Sequence, residues 1–221
     1  MEKQEKSISI EIYSDVICPW CYVGKRRLER ARSQVATIRT QVAWRPFQLN
    51  PTMPSEGMDR TVYLEAKFGS VDSFRRLEEQ VAAAGSSEQI SFAFEKIHTT
   101  PNTFLAHRLI WFAGQHGCQD AIVDALFKGY FEHGADIGSA AVLTGIAASA
   151  ALEAERFLAS EQGIAEVKTE EAAAHRLGIR AVPYFVLNNR YGVSGAQSVG
   201  VFVGAIESAD GREAKHHMSR K

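Results

Sequence analysis

The sequence predicts an α/β fold in which a βαβ unit and an αββα unit flank a large, all-helical block. Three observations support this prediction. First, apolar and polar side chains alternate in residues 8–14 and 41–48, and the residues between these two segments have helical periodicity. Second, most of residues 52–161 have helical periodicity. Third, residues 162–208 contain both helical and strand patterns. A chain of 221 residues can bury a substantial core. We therefore expect a discontinuous α/β domain, residues 7–51 and 162–210, interrupted by a helical insertion domain, residues 52–161.

Two strands and a helix form the predicted βαβ unit. Residues 8–14 read as a strand, residues 19–38 place apolar side chains at helical spacing, and residues 41–48 alternate again before Asn50 and Pro51 end the strand. This order favours a parallel strand pair joined by a right-handed crossover. The helix therefore begins shortly after the first strand.

The central block is predicted to be helical. A loop over residues 52–58 precedes it, and Thr100, Pro101 and Asn102 form a turn before one of its helices. Helices are expected at residues 60–68, 72–84, 103–116, 120–133, 139–151 and 153–159.

The last part of the chain returns to mixed structure. Its predicted elements are a helix at 162–177, a strand at 181–188, a return strand at 192–194 and a helix at 198–208. The polar residues 211–221 are expected to fray.

Composition and charge exclude several kinds of protein. A net charge of −1 gives no general attraction to nucleic acid, and we interpret the basic run of residues 25–32 as a solvated helix face. No apolar stretch reaches the roughly 18 residues that a membrane span needs. Residues 1–6 are charged and polar and no secretory signal follows them, so we expect a cytoplasmic protein. Three cysteines are too few for a disulfide-stapled scaffold.

A close cysteine pair lies where the first strand meets its helix, in the sequence Cys18-Pro19-Trp20-Cys21. The amino end of a helix stabilises an anion, and a thiolate attacks disulfides whereas a thiol hardly does. Cys18 is therefore the expected nucleophile. Cys21, one turn further along the helix, can displace a mixed disulfide on Cys18 in an intramolecular step. The spacing predicts thiol–disulfide exchange with a disulfide- or thiol-containing protein or small molecule.

Two other uses of the pair stay open at this point. A zinc site needs further Cys or His ligands, and neither His116 with Cys118 nor His216 with His217 offers a typical spacing. We therefore expect no metal and no bound cofactor. An inert buried pair is the second alternative. We interpret Cys118 itself as a free thiol.

A proline near the start of a late strand is the second chemical signal. If the bond between Val182 and Pro183 is cis, the backbone of Val182 turns outward and can pair with an extended substrate beside Cys18. A proline that only begins an edge strand is the alternative.

Several blocks in the sequence occur together and in a fixed order. They are residues 14–25 around the cysteine pair, residues 44–51, residues 102–109, residues 178–185 and residues 194–197. With these blocks the chain resembles the DsbA family of thioredoxin-fold proteins, and within it the cytoplasmic, FrnE-like dithiol-disulfide oxidoreductases. The resemblance implies a thioredoxin-like fold with a helical insertion and a protein dithiol-disulfide oxidoreductase or isomerase. It also implies that Asn102 and His107 face the active-site groove.

The sequence departs from its relatives at informative positions. Periplasmic DsbA proteins carry a histidine where Trp20 stands, and thioredoxins carry a buried acid at the position of Ile12. The proton acceptor for Cys21 is therefore open, with Asp15 or a water as candidates. The Pro-Trp pair is similar to the Pro-Tyr of glutaredoxins, which makes glutathione a candidate co-substrate. An apolar groove near the sulfurs would suit a hydrophobic peptide or a small molecule equally well.

A neighbouring branch provides the alternative function. The 2-hydroxychromene-2-carboxylate isomerases and kappa-class glutathione transferases carry serine where this chain has Cys18, and they hold glutathione with an acid where it has Gln197. A glutathione-dependent isomerase or transferase, with Gln197 at the substrate, is the second hypothesis. A redox-sensing, chaperone-like module is the third. The natural substrate, the direction of electron flow and the oligomeric state, a homodimer included, are left open by the sequence.

Overall fold

The structure is a computed structural model that describes residues 7–211. Its elements follow the chain in the order β1 Ile8–Ser14, α1 Pro19–Gln34, β2 Thr40–Pro46, β3 Met58–Asp59, α2 Arg60–Phe68, α3 Val71–Ser86, β4 Thr99–Thr100, α4 Phe104–Gln115, α5 Gln119–His133, α6 Ala140–Ser149, α7 Glu155–Leu158, α8 Ile164–Arg176, β5 Tyr184–Leu187, β6 Tyr191–Ser194 and α9 Val199–Asp210. The predicted α/β fold with helices between its two halves is confirmed.

A mixed four-stranded sheet has the strand order β2-β1-β5-β6. Strands β1 and β2 are parallel, as the βαβ unit predicts, and Ile12 lies opposite Trp44. Strand β5 is antiparallel to β1 and pairs Phe185 with Ile12. The hairpin of β5 and β6 completes the sheet. The first and last parts of the chain therefore share one sheet, and the helical block lies between them in sequence.

The alternation of β1 divides the apolar side chains between two clusters. Ile8, Ile10 and Ile12 are at most 1% exposed and belong to the main core, which also contains residues from α1, α9 and the central helices. Tyr13 points the other way, into a smaller cluster that includes Ala174 of α8. Successive side chains of a strand face opposite sides of its sheet, so one strand supports both layers.

Helix α1 is also the attachment point of the central helices. The ring of Tyr22 stacks on Phe127 of α5 with centroids 5.0 Å apart, and its hydroxyl donates to Glu132 at 2.6 Å. Offset aromatic pairs of this kind add about 0.5–1.5 kcal/mol to the free energy of burial.

The basic run of α1 is not the solvated face that the sequence predicted. The Lys25 side chain is 3% exposed and lies 3.3 Å from a carboxylate oxygen of Asp124. Arg27 and Arg30 both bind Glu88, at 3.0 and 2.7 Å, and the Glu88 side chain is 4% exposed. Carboxylates supplied by the central helices and by the loop after α3 compensate the charges of the buried Lys25 and the largely buried Arg27, whereas the Arg30 side chain is 54% exposed. The basic residues of α1 therefore form ion pairs with carboxylates that are distant in sequence.

The element boundaries differ from the sequence predictions in a few places. Helix α1 ends at Gln34 because Val35 leaves the helical conformation. Strand β5 is shorter than predicted and begins after Pro183. The loop prediction for residues 52–58 is wrong at Met58, which pairs with Thr100 in a two-residue ladder. Strands this short have no readable periodicity. The predicted frayed tail, residues 211–221, lies almost wholly outside the described residues.

Among residues 7–211, none of the helices combines the length and apolar character that crossing a bilayer would require.

Replacement of Phe127 by alanine tests how much the attachment at α1 contributes to stability. Phe127 is fully buried and contacts the rings of Tyr22 and Trp44. We expect Phe127→Ala to lower the free energy of unfolding by about 3–5 kcal/mol, because it removes a large buried ring and leaves a cavity. Urea denaturation measures the change. Val62→Ala is the control, since Val62 is 55% exposed. A decrease of less than about 1 kcal/mol in the free energy of unfolding of Phe127→Ala would contradict a large contribution of this contact to stability.

Candidate active site

Helix α1 places Cys18 at its amino end. Cys18 is the N-cap residue, with φ −90° and ψ 111°, and Pro19 occupies the first turn, where a missing N–H costs nothing. The backbone N–H of Cys18 donates to the carbonyl of Asp15 at 3.0 Å. No side chain caps this helix end. Cys18 therefore lies at the amino end of the helix, where the partial positive charge of the helix dipole is located.

The sulfur of Cys18 faces the turn that precedes β5. Its thiol donates to the carbonyl oxygen of Val182 at 3.7 Å, and the bond between Val182 and Pro183 is cis. Cys18 is 6% exposed, whereas the neighbouring Trp20 side chain is 38% exposed. Both Cys18 and Cys21 are free thiols. The structure thus brings Cys18 and Val182 together from opposite ends of the chain.

Close packing of α1 against this turn depends on Gly24. A Cβ atom at position 24 would lie 3.1 Å from Cγ of Pro183 and 3.2 Å from the Phe185 ring. Both distances are shorter than ordinary carbon–carbon contacts, so a side chain at position 24 would require Pro183 and Phe185 to move by a few tenths of an ångström. Gly24 was missed by the sequence analysis. A glycine inside a helical pattern is the signal that could have indicated it.

Cys21 lies behind Cys18 and is 1% exposed. Burial raises the pKa of the Cys21 thiol well above its ordinary value, and the hydrogen bond and charge of Cys18 raise it further. The Ser14 hydroxyl and the Asp15 amide act in the opposite direction. The Ser14 hydroxyl has no other partner within the described chain. Cys21 is therefore held as a thiol in contact with polar groups at the end of β1.

A buried carboxylate and a buried imidazole lie next to this pair. Asp15 is fully buried and accepts a hydrogen bond from the Leu49 amide at 2.7 Å, while its other oxygen lies 3.4 Å from Nε2 of His107. His107 is 3% exposed. The His107 ring is thus buried with Nε2 facing Asp15, and its predicted place in the substrate groove stays a prediction.

Asn102 and Gln197 both bond to backbone. Asn102 donates to the carbonyl of Met53 at 2.6 Å and accepts from the Phe104 amide at 2.9 Å. Gln197 is exposed and donates to the carbonyl of Ser194 at 2.8 Å. Their predicted substrate roles stay predictions. Asn102 joins the loop after β2 to the start of α4, and Gln197 joins β6 to the start of α9.

A cavity of about 350 Å³ opens beside Trp20. Its walls come from the cysteine motif, through Pro19 and Trp20, and from α2 and α3, through residues such as Leu64 and Leu77. The sequence predicted an apolar groove near the sulfurs but not the residues of these two helices. Their contribution depends on how the helices fold back over α1, which local periodicity does not encode.

The described residues hold no group of three or more His, Cys, Asp or Glu side chains suited to a metal ion.

Comparison with known families identifies the fold. Residues 9–207 match the DSBA-like thioredoxin domain. The chain belongs to this family. A thioredoxin-like fold with a helical insertion, which the sequence resemblance implied, is therefore confirmed.

Solved structures of related fold cover nearly the whole chain. A probable DsbA oxidoreductase from Streptomyces coelicolor, SCO1869, is 33% identical with a TM-score of 0.86, and the match covers 94% of this chain and 92% of that one. A 2-hydroxychromene-2-carboxylate isomerase is 14% identical with a TM-score of 0.67, over 92% and 95% of the two chains. The cytosolic disulfide reductase DsbM from Pseudomonas aeruginosa, solved with GSH, is 15% identical with a TM-score of 0.56, over 92% and 96%. The last two show the shared fold alone.

The close contact at Gly24 can be tested by adding a single methyl group. Gly24→Ala is expected to lower the free energy of unfolding by about 1–3 kcal/mol, because its Cβ meets Pro183 and Phe185. Gly145→Ala is the matched control, since a Cβ atom at this position of α6 has no atom within 4 Å. Because alanine has a higher helix propensity than glycine, we expect this control to raise the free energy of unfolding by about 0.5–1 kcal/mol. Urea denaturation compares the two variants. Equal stabilisation of both would contradict the packing described.

The raised pKa of Cys21 predicts that its thiol persists at a pH where an exposed cysteine has ionised. Burial is the largest cause and remains when Cys18 is replaced. In a Cys18→Ala variant with 13C-labelled cysteine Cβ, we expect the Cys21 resonance to titrate above the roughly 8.5 of a free cysteine. The same protein unfolded in urea supplies the reference. A folded midpoint at or below the unfolded one would refute the assignment.

Proposed function

We propose that this protein is a thiol–disulfide oxidoreductase in which Cys18 is the nucleophile and Cys21 resolves the mixed disulfide. One observation carries the proposal: the Cys18 sulfur sits at the amino end of α1, against the Val182 carbonyl, with Cys21 buried directly behind it. The probable DsbA oxidoreductase of 33% identity supports the same reaction class. The arrangement gives one reactive sulfur and one protected sulfur, which is what a two-step exchange requires.

The reaction proceeds through a mixed disulfide. The Cys18 thiolate attacks one sulfur of a substrate disulfide, a bond forms between the two sulfurs, and the other substrate sulfur leaves as a thiolate that takes up a proton. Cys21 then loses its proton and attacks the Cys18 sulfur. The second substrate thiolate leaves and the Cys18–Cys21 disulfide forms. Two electrons have passed to the substrate, and the reverse sequence oxidises a dithiol.

The residues around Cys18 orient the substrate in this proposal. Val182 is half-buried beside the sulfur, so its backbone is placed to pair with an extended substrate segment. Pro183 fixes the turn on which Val182 lies and packs against Gly24. Trp20 contributes an exposed apolar surface next to the reacting sulfur. Asn102 and Gln197 form hydrogen bonds to backbone atoms, so we assign them the role of holding the loops beside the site in position.

Glutathione is the co-substrate that we propose for turnover. Two molecules of glutathione reduce the Cys18–Cys21 disulfide and leave as glutathione disulfide, which balances the electrons passed to the substrate. DsbM shares the fold of this chain and was solved with GSH, which supports glutathione as the co-substrate. We place the protein in the cytoplasm, where the glutathione pool keeps thiols reduced. DsbM, which shares the fold, is described as cytosolic.

Three cysteine variants test the reaction. Each protein is treated with bis(hydroxyethyl) disulfide, quenched with acid and weighed by mass spectrometry. We expect the wild type to lose two hydrogens as Cys18–Cys21 closes, and Cys21→Ala to stop with one hydroxyethylthio group on Cys18. Cys18→Ala is expected to react at least about a hundredfold more slowly, because Cys21 is a buried thiol.

Cys118→Ser is the control for the third thiol, which is half-exposed. It should behave as the wild type does. Failure of the wild type to close Cys18–Cys21, or a reaction of Cys21 in Cys18→Ala that is as fast as that of Cys18 in the wild type, would refute the oxidoreductase proposal. If instead Cys18 only stabilised bound glutathione and no disulfide formed, the glutathione-dependent isomerase class would replace it. Client binding that survives loss of both cysteines would favour a chaperone-like module.

A further inference from the structure

The cavity beside Trp20 has walls of two origins. Ile17, Pro19 and Trp20 form the side next to the cysteine motif, while Leu64, Leu77 and Phe94 come from the central helical block. Its volume of about 350 Å³ lies at the lower end of the range for small-molecule sites, roughly 300–1,000 Å³. It is large enough for a small molecule but too small for an extended polypeptide. Cys18 itself does not line the cavity, but Ile17 and Pro19, its neighbours in sequence, do, so the cavity lies beside the cysteine motif.

Two buried hydroxyls lie at this cavity. Thr100 lines it and is 2% exposed, and the Thr100 hydroxyl acts as a hydrogen-bonding group on the hydroxyl of Tyr130, which also lines the cavity. Arg60 lines the same region, with Nη1 3.4 Å from the Tyr130 hydroxyl. The cavity therefore offers polar groups beside its apolar wall.

The charges on the cavity wall are unequal. Arg60 and Lys67 are its cations and Glu78 is its carboxylate. Arg60 uses Nη2 to bind Glu78 at 2.7 Å. The Lys67 ammonium contacts two neutral oxygens, the Tyr63 hydroxyl and Oδ1 of Asn50, and makes no ion pair with the described part of the chain. Lys67 is exposed, and its ammonium also lies 5.1 Å from the centre of the Tyr63 ring and 6.0 Å from that of the Phe68 ring. An anionic group on a ligand at the rim of the cavity would supply the carboxylate partner that Lys67 lacks among the described residues.

We infer that this cavity binds the substrate of the exchange reaction as a small thiol or disulfide with an apolar body and a carboxylate. The inference rests on the proposed function and adds the substrate class to it. The body occupies the apolar wall, the carboxylate lies at Lys67, and the sulfur reaches Cys18 past Trp20. When the ligand is a disulfide, Cys18 attacks that sulfur, the other sulfur leaves as a thiolate, and a second thiol is released as Cys21 closes the Cys18–Cys21 disulfide. A bound thiol is the product of this sequence or the substrate of its reverse. The two electrons return from glutathione, as in the proposed cycle.

The test compares three disulfides in the Cys118→Ser background, so that only the cysteine pair reacts. Dithiobis(nitrobenzoate) is aromatic and anionic, dithiodipyridine is aromatic and neutral, and bis(hydroxyethyl) disulfide is small and neutral. Leu77→Trp fills part of the cavity, and Leu77 tolerates the change because it is 42% exposed. We expect it to slow both aromatic disulfides about tenfold, equivalent to about 1.4 kcal/mol, and to leave the small one within twofold.

Lys67→Gln tests the carboxylate position separately. It should slow dithiobis(nitrobenzoate) about fivefold and leave dithiodipyridine unchanged, because only the first carries a charge. Val62→Trp is the matched control for Leu77→Trp, since Val62 is exposed on α2 and does not line the cavity. Lys168→Gln, an exposed position on α8, is the matched control for Lys67→Gln. Neither control should change any rate by more than twofold.

A sulfur-free ligand separates binding from exchange. Titration calorimetry with tert-butylbenzoate on Cys18→Ala should show binding that weakens about tenfold in Leu77→Trp and about fivefold in Lys67→Gln. No binding of this ligand to the parent protein, or equal slowing of all three disulfides by Leu77→Trp, overturns the cavity assignment. Exchange that is absent with every disulfide, while tert-butylbenzoate still binds, refutes the proposed function and leaves the cavity as a carboxylate-binding site.

Discussion

The contact between the amino end of α1 and the turn at Val182 and Pro183 positions every group that the proposed chemistry uses. Gly24 lets the helix lie against Pro183, and the same approach brings the Cys18 sulfur to 3.7 Å from the Val182 carbonyl. The two residues are 164 positions apart in sequence. The ladder between β1 and β5 closes that distance by pairing Ile12 with Phe185. The entropy of closing so long a loop is offset by burial of the strands that meet there.

The central helices pack against a different face of α1 from the one that contacts the turn at Pro183. Tyr22 packs against α5, and Lys25 and Arg27 bind carboxylates supplied by the central block. Helix α1 is therefore held between the sheet and the inserted helices, and its first turn lies at their junction. Trp20 is exposed there because the sheet side is already filled by Cys18 and Cys21. The cavity beside the motif follows from this arrangement, since α2 and α3 form its second wall.

Buried polar groups surround the resolving cysteine without supplying an obvious base. The Asp15 carboxylate, the sequence's candidate proton acceptor, bonds to the Leu49 amide and faces His107, and it is the Asp15 amide that contacts Cys21. Ser14 presents a hydroxyl to the same sulfur. Both amide and hydroxyl stabilise the Cys21 thiolate once it forms, whereas burial favours the thiol at rest. Cys21 is thereby kept unreactive until a mixed disulfide on Cys18 brings an electrophilic sulfur beside it.

Local spacing in the sequence is sufficient to predict several secondary-structure elements and the chemistry of the cysteine pair. The period-two alternation of residues 8–14 predicts β1 with its observed bounds, and two residues between Cys18 and Cys21 place both sulfurs on one helix turn. Contacts between side chains that are far apart in sequence emerge from the folded chain alone: the His107 ring is buried, Lys25 is buried against a distant carboxylate, and Thr100 lines a cavity. Periodicity reports which face of an element is buried, but the partner of that face is set by packing between elements far apart in the chain.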